Sequence, residues 1–291
     1  MSKRLSSRRR PRTVLLLGIL LSVPLTAAAP AAQEPGLVYP VDIVPAADGW
    51  IVADFKAPGL LRLSQDGSVT PLKLGEGIPR TPLYGTRAVI EAPDGNGWIV
   101  ADPATFGLYR VDTAGDLSTI TAELDIPQGL VAFDAESVLV ADLRSGLGAI
   151  LRVGLAGGLS VFAEVPSPKG MVAFGEDAFA VVSHGERAVY RVGRDGTVAV
   201  LASGPPFDFP HDLVADPDGS LVITDGYAAA LFRVGSSGEI SVLAQGAPLV
   251  SPQGIAHTPE GDYVVVDPQA GAVFRVSRDG QVAQLATLSA R

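Results

Sequence analysis

From about residue 40 to the C-terminus the chain is written in short apolar runs separated by polar turns, and no useful length of it carries apolar residues at helical spacing. The runs are rich in Val, Ile, Leu and aromatics and are punctuated by Gly, Pro and Asp-Gly, which predicts β-strands throughout. They also repeat. YPVDIVPAADGWIVAD (39–54), GTRAVIEAPDGNGWIVAD (85–102), IPQGLVAFDAESVLVAD (126–142), SPKGMVAFGEDAFAVVS (167–183), FPHDLVADPDGSLVITD (209–225) and SPQGIAHTPEGDYVVVD (251–267) share one frame. Each leads through a short loop to LLRL, LYRV, ILRV, VYRV, LFRV or VFRV, whose arginines (Arg62, Arg110, Arg152, Arg191, Arg233, Arg275) are 48, 42, 39, 42 and 42 residues apart. A turn such as Asp66-Gly67, Asp195-Gly196 or Asp279-Gly280 then precedes another apolar stretch. Four strands per period of about forty residues is the signature of a propeller blade. Periods starting near residues 40, 86, 127, 168, 210 and 252 predict an all-β, six-bladed β-propeller of four-stranded antiparallel blades, occupying residues 33–291 as one domain. The segment EPGLVYP (34–40) is available to add a strand to the last blade.

The first 32 residues have a different pattern. Lys3, Arg4, Arg8, Arg9, Arg10 and Arg12 precede an apolar run from Val14 to Leu25, and small residues follow in TAAAPAAQ (26–33). Basic start, short apolar centre and small-residue exit describe a secretory signal peptide, and the run is too short to span a bilayer. The expectation is an exported protein, periplasmic or extracellular, with no stable membrane insertion after cleavage. The segment holds six of the 22 Lys and Arg and none of the 31 Asp and Glu, so without it the net charge is −15. That balance argues against nucleic acid as a partner. Cysteine is absent, which excludes thiol chemistry, disulfides and a cysteine-linked lipid anchor.

The pattern P-x-G-apolar, Asp/Glu-Gly turn, V-x-D, then F/Y-R-V and Asp-Gly resembles NHL repeats over residues 40–288. It is also similar to the propellers of the senescence-marker/gluconolactonase and strictosidine-synthase-like group. The resemblance implies the six-bladed fold; for function it spans lactonases, lyases and binding scaffolds.

In an antiparallel blade whose innermost strand starts at one face, here called the top, the P-x-G starts and V-x-D ends lie on the top and the Asp-Gly turns on the bottom. Asp54, Asp102, Asp142, Asp225 and Asp267, with Ser183 in the fourth repeat, recur in the frame and are expected to cap loop amides. DPDG (216–219) is expected to serve turn geometry rather than calcium. His257 shares strand parity with Ile255 and is expected in the packing between blades.

The position between Pro and Gly faces the mouth of the channel and varies around the ring: Val41, Arg87, Gln128, Lys169, His211, Gln253. In two blades the following Gly is replaced by a carboxylate, Asp42 and Asp212. The two least regular connections reach the same face, LGEGIPRTPLYGT (74–86) with Glu76 and Tyr84, and GPPFDFP (204–210) with Phe207 and Phe209. His184 joins them from the fourth repeat. Irregular loops on a rigid scaffold are where binding residues gather. Two readings follow. One is a monomeric, non-catalytic scaffold that holds a small anionic or carbonyl-bearing molecule, glycan or peptide at the top face. The other is a lactonase or lyase like the gluconolactonase group, which would need one divalent cation, calcium or zinc, held by some of Glu76, Asp42, Asp212 and His211. The resemblance implies Asn and Asp ligands at the P-x-G position, where this chain has Gln, Lys, His and Arg.

Overall fold

The computed structural model describes residues 36–144 and 147–289, so the expected signal peptide (1–32) lies outside the described residues. The described chain forms six four-stranded antiparallel sheets, each built from four consecutive strands, and this is the expected six-bladed propeller. The first blade runs Pro40–Ala46, Gly49–Asp54, Gly59–Ser64 and Val69–Leu74. The other innermost strands are Ala88–Glu91, Pro127–Asp134, Pro168–Phe174, Pro210–Ala215 and Ile255–His257. No helix among the described residues is long and apolar enough to cross a membrane.

The strand sequences follow from their place in the blade. Second strands are sandwiched by blades on both sides, so they read as unbroken apolar runs, and GWIVAD, SVLVAD and YVVVD are buried at every residue. Outermost strands such as Leu117–Thr121 hold only exposed and half-buried positions. The core is correspondingly divided into six layers, one between each pair of neighbouring blades; Leu37, Ile43, Val52, Val264 and Val273, for example, fill the layer shared by the last and first. That layer closes the ring. Residues 36–39 add no strand to the last sheet; instead the Ser289 N–H donates to the Leu37 carbonyl at 2.7 Å.

The repeated polar residues are fasteners. All five aspartates at the ends of the second strands are fully buried. Asp225 accepts the N–H groups of Asp208, Phe209 and Ala228 at 2.8–3.0 Å, and Asp142 those of Asp125 and Ile126. Ser183 does the job differently, donating to the Pro166 carbonyl at 2.6 Å. The repeated arginines brace the bottom turns: Arg110 on Asp94, Arg152 on Asp134, Arg191 on Asp177, Arg233 on Asp216 and Arg275 on Glu260 and Asp262. Arg62 instead lies over the Trp98 ring of the next blade, 5.4 Å from its centroid.

Asp216 does more than shape a turn. Its carboxylate is buried between the fifth and sixth blades, accepts the Tyr263 hydroxyl at 2.6 Å and Arg233 at 2.9 Å, and lies 3.5 Å from His257 Nε2. The same contacts account for His257, which is half-buried beside the Tyr263 ring. Burial, followed by the bond to Asp216, pushes the Tyr263 phenol up to about 12. These side chains pin two blades together at the bottom of the molecule.

Candidate functional site

The innermost strands do not enter the mouth as regular strands. In the first blade Pro40 pairs with Asp54 and Asp42 with Ala53, which leaves Val41 as the extra residue of a bulge. The same irregularity leaves Gln128 and His211 unmatched in the third and fifth blades, and Lys169 lies within another in the fourth. A bulge re-aims the side chain it carries. The bulges account for four of the ring residues, and all six line one channel cavity of about 300 Å³.

The ring is not six-fold symmetric. A Cβ on Gly129 would sit 2.0 Å from the Lys169 carbonyl oxygen, one on Gly170 2.7 Å from the Asp212 Cα, and one on Gly254 2.6 Å from the Asp42 Cα. Glycine therefore closes the junctions between blades three and four, four and five, and six and one. At the junctions after blades one and five a carboxylate fills the gap: Asp42 accepts Val89 N–H at 2.8 Å and Asp212 accepts Ile255 N–H at 3.2 Å. The close junction between the fourth and fifth blades brings Lys169 and His211 together.

Lys169 Nζ is in direct contact with His211 Nδ1. The other ring nitrogen, Nε2, lies 3.0 Å from the Gln253 amide nitrogen, which in turn is 3.4 Å from Ser251 Oγ. Lys169, His211 and Gln253 are 6%, 8% and 7% exposed, so this polar chain is nearly dry. Burial, with Arg87 second, holds the Lys169 ammonium well below its usual range. Burial and then Lys169 hold His211 well below the ordinary imidazole value, and the same two causes lower His184. Burial also works against the Arg87 guanidinium, with Asp42 the largest charge opposing that effect.

Phe209 forms the wall beside this chain. Its ring stacks on Tyr227 at 4.5 Å, meets His184 at 4.9 Å and His211 edge-on at 5.0 Å, and faces Lys169 Nζ at 4.9 Å. The loop that carries it is tied down by the Arg187–Asp208 ion pair at 3.2 Å. Tyr227, which sequence reasoning missed, is 70% exposed at the rim. Phe55 and Phe106 occupy equivalent top-face loops in the first two blades and are also exposed, and the only sequence signal is an aromatic shortly after the second-strand aspartate.

The other candidates are placed elsewhere. Phe207 is buried in the layer between blades four and five, edge-on to Phe232 at 5.6 Å. Tyr84 and Glu76 are exposed on their loop and do not line the channel cavity. Among the described residues no three His, Asp or Glu side chains converge as a metal site. Asp42, one of the four weak ligands, is already engaged, since its two oxygens accept the N–H groups of Ile43 and Val89. With Arg87 and Lys169 in the same mouth, the donor set does not fit a divalent cation.

The carboxylates give the mouth a pH signature. Asp42 is raised well above its usual range by burial and then by Asp212, and burial raises Asp212 to about 6. A carboxyl whose folded value exceeds its unfolded one favours the folded state when protonated. Its contribution is complete below the ordinary value of 3.8 and is lost as pH rises through about 6. Unfolding free energy should therefore fall by on the order of 2 kcal/mol from about pH 4 to pH 7 on this account. Asp212→Asn should make that stretch shallower and raise stability at neutral pH in urea melts. A variant curve parallel to the wild type would contradict the assignment.

No protein-family model matches the chain, and no curated protein sequence matches it. Solved structures do share its fold. A streptogramin B lyase superposes with a TM-score of 0.68 at 16% identity, over 89% of this chain and 86% of that one. A catalytically inactive virginiamycin B lyase from Staphylococcus aureus, solved with quinupristin, gives 0.67 at 18% identity over 87% of each chain. The calcium-binding protein regucalcin from Agrobacterium tumefaciens gives 0.59 at 17% identity, over 70% of this chain and 74% of that one. At these identities the likeness establishes the six-bladed propeller fold.

Proposed function

We propose that this chain is an exported propeller that binds a small carboxylate- or carbonyl-bearing molecule in its channel mouth. Export is supported by the basic, apolar and small-residue order of its first 32 residues. The observation that carries the binding reading is the linked set Lys169, His211 and Gln253, nearly dry, beside the Phe209 wall and in one cavity with Arg87. Donors converging on a concave, partly apolar pocket are the ordinary make-up of a small-ligand site. An anion entering the mouth finds the Arg87 guanidinium.

Calorimetric titration with glycolate, lactate and succinate tests this reading. The expected result is saturable binding by at least one, weakened about tenfold or more in Arg87→Ala, because hydrogen bonds to a charged group contribute about 1.5–3 kcal/mol. Absence of binding by all three, or an unchanged affinity in Arg87→Ala, would refute it.

A second reading is a lyase. It is favoured by the pairing of Lys169 with His211, which could take up a proton in the mouth, and by the lyases among the structures of this fold. Its metal-dependent form predicts stoichiometric calcium or zinc that is lost in Asp42→Ala and Asp212→Ala, measured by elemental analysis. The donor set described above weighs against that form.

A further inference from the structure

We propose that Lys169 is a reactive amine that forms an imine with the carbonyl carbon of a small aldehyde or 2-oxo acid held in the channel mouth. This rests on the mouth being a ligand site and adds covalent capture to it.

A buried lysine is ordinarily matched to a carboxylate, which keeps it charged and inert. Lys169 has a different environment. It is nearly fully buried, its hydrogen-bond partner is the His211 imidazole, and its Nζ faces the Phe209 ring. The groups around it oppose a second positive charge: burial first, then the field of Arg87. Asp212 is the carboxylate that acts on it, and one Asp212 oxygen is engaged by the Ile255 N–H of the next blade. An amine in such a site is a nucleophile near neutral pH.

The neighbours supply the rest of the chemistry. The Nζ lone pair attacks the carbonyl carbon, a C–N bond forms and the oxygen becomes the hydroxyl of a carbinolamine. With Nε2 facing the Gln253 amide NH2, the His211 proton is on Nδ1, which gives it to the oxygen and recovers one from the nitrogen, once as the hydroxyl forms and once as it departs. The C–O bond breaks and the oxygen leaves as water, so aldehyde plus amine become imine plus water with no change of oxidation state. A carboxylate on the same molecule falls to Arg87, and the cavity of about 300 Å³ suits a compound of a few carbons.

The chain has four lysines, and two other described ones, Lys56 and Lys73, serve as internal controls: Lys56 is exposed and Lys73 lies half-buried on an outermost strand. Native protein is incubated at neutral pH with glyoxylate and sodium cyanoborohydride, which reduces an imine to a stable carboxymethyl-lysine, and is then mapped by peptide mass spectrometry. Lys169 should be labelled about tenfold or more ahead of Lys56 and Lys73, because burial and the field of Arg87 keep more of it as free amine. His211→Asn should slow labelling at Lys169 alone. Labelling of Lys169 no faster than the two controls overturns the proposal. Glycolate, which matches glyoxylate in size but lacks the electrophilic carbon, is titrated in parallel. Glycolate binding without preferential Lys169 labelling leaves the binding site standing and removes the imine. Absence of both signals removes both.

Discussion

Asp54→Ala should cost about 3–5 kcal/mol of folding stability, read as a fall in the denaturant midpoint. The carboxylate is fully buried and accepts the N–H groups of Val38 at 2.7 Å, Tyr39 at 2.9 Å, Lys56 at 2.8 Å and Ala57 at 2.7 Å. Alanine leaves four amides without their acceptor, and the loops they belong to lead into and out of the mouth. Asp102 occupies the same place in the second blade with fewer donors, Gly85 at 3.2 Å and Ala104 at 2.9 Å, and its Oδ2 is buried without a partner. Asp102→Ala should accordingly cost clearly less. Equal losses at the two positions would show that amide capping is not what these residues contribute.

Gly129→Ala is expected to destabilise the fold and to damage the site as well. The added methyl would meet the Lys169 carbonyl oxygen at 2.0 Å and its carbonyl carbon at 2.9 Å, both backbone atoms that cannot rotate away. Overpacking of this kind costs about 1–3 kcal/mol and occasionally more. Relief requires the third and fourth blades to separate, which displaces Lys169 from His211. Thermal melts should show the loss, and preferential labelling of Lys169 should fall toward that of Lys56 and Lys73. Ala88, the corresponding residue of the second blade, already carries a Cβ, so Ala88→Gly should leave the mouth intact. Wild-type melting and labelling in Gly129→Ala would mean that the junction is looser than its geometry indicates.

These two positions also show how far the sequence could be read. Asp54 and its counterparts were visible as structural because they recur at one place in a frame that fixes which face they occupy. The mouth residues were visible for the opposite reason, since Val41, Arg87, Gln128, Lys169, His211 and Gln253 vary where the frame is otherwise constant. Pairing across the ring was less legible. In a ring of six the second blade faces the fifth, so Arg87 and His211 stand opposite, but the contact His211 makes is with Lys169 of the neighbouring blade, because Gly170 lets those two blades close up. Phe207 and Phe209 look alike in GPPFDFP, yet one is core and the other packs against Lys169 and His211, and an irregular loop carries no alternation from which to tell them apart. Asp216 resembles any turn aspartate until Tyr263 and Arg233, distant in sequence, are seen to meet it.

Each blade completes its own sheet, so no strand is shared where the ring meets itself. Five junctions are spanned by short peptide linkers, which keep their blades at high effective concentration. The sixth has no linker among the described residues and is held by its apolar layer and by hydrogen bonds such as that from Ser289 to Leu37. Breathing should therefore concentrate at that seam, where parting Leu37, Ile43 and Val52 from Val264 and Val273 breaks no ladder. Lys169, on the fourth blade, stands across the ring from it. The proposed chemistry is thus mounted away from the seam, which is flanked by the blades that carry Val41 and Gln253.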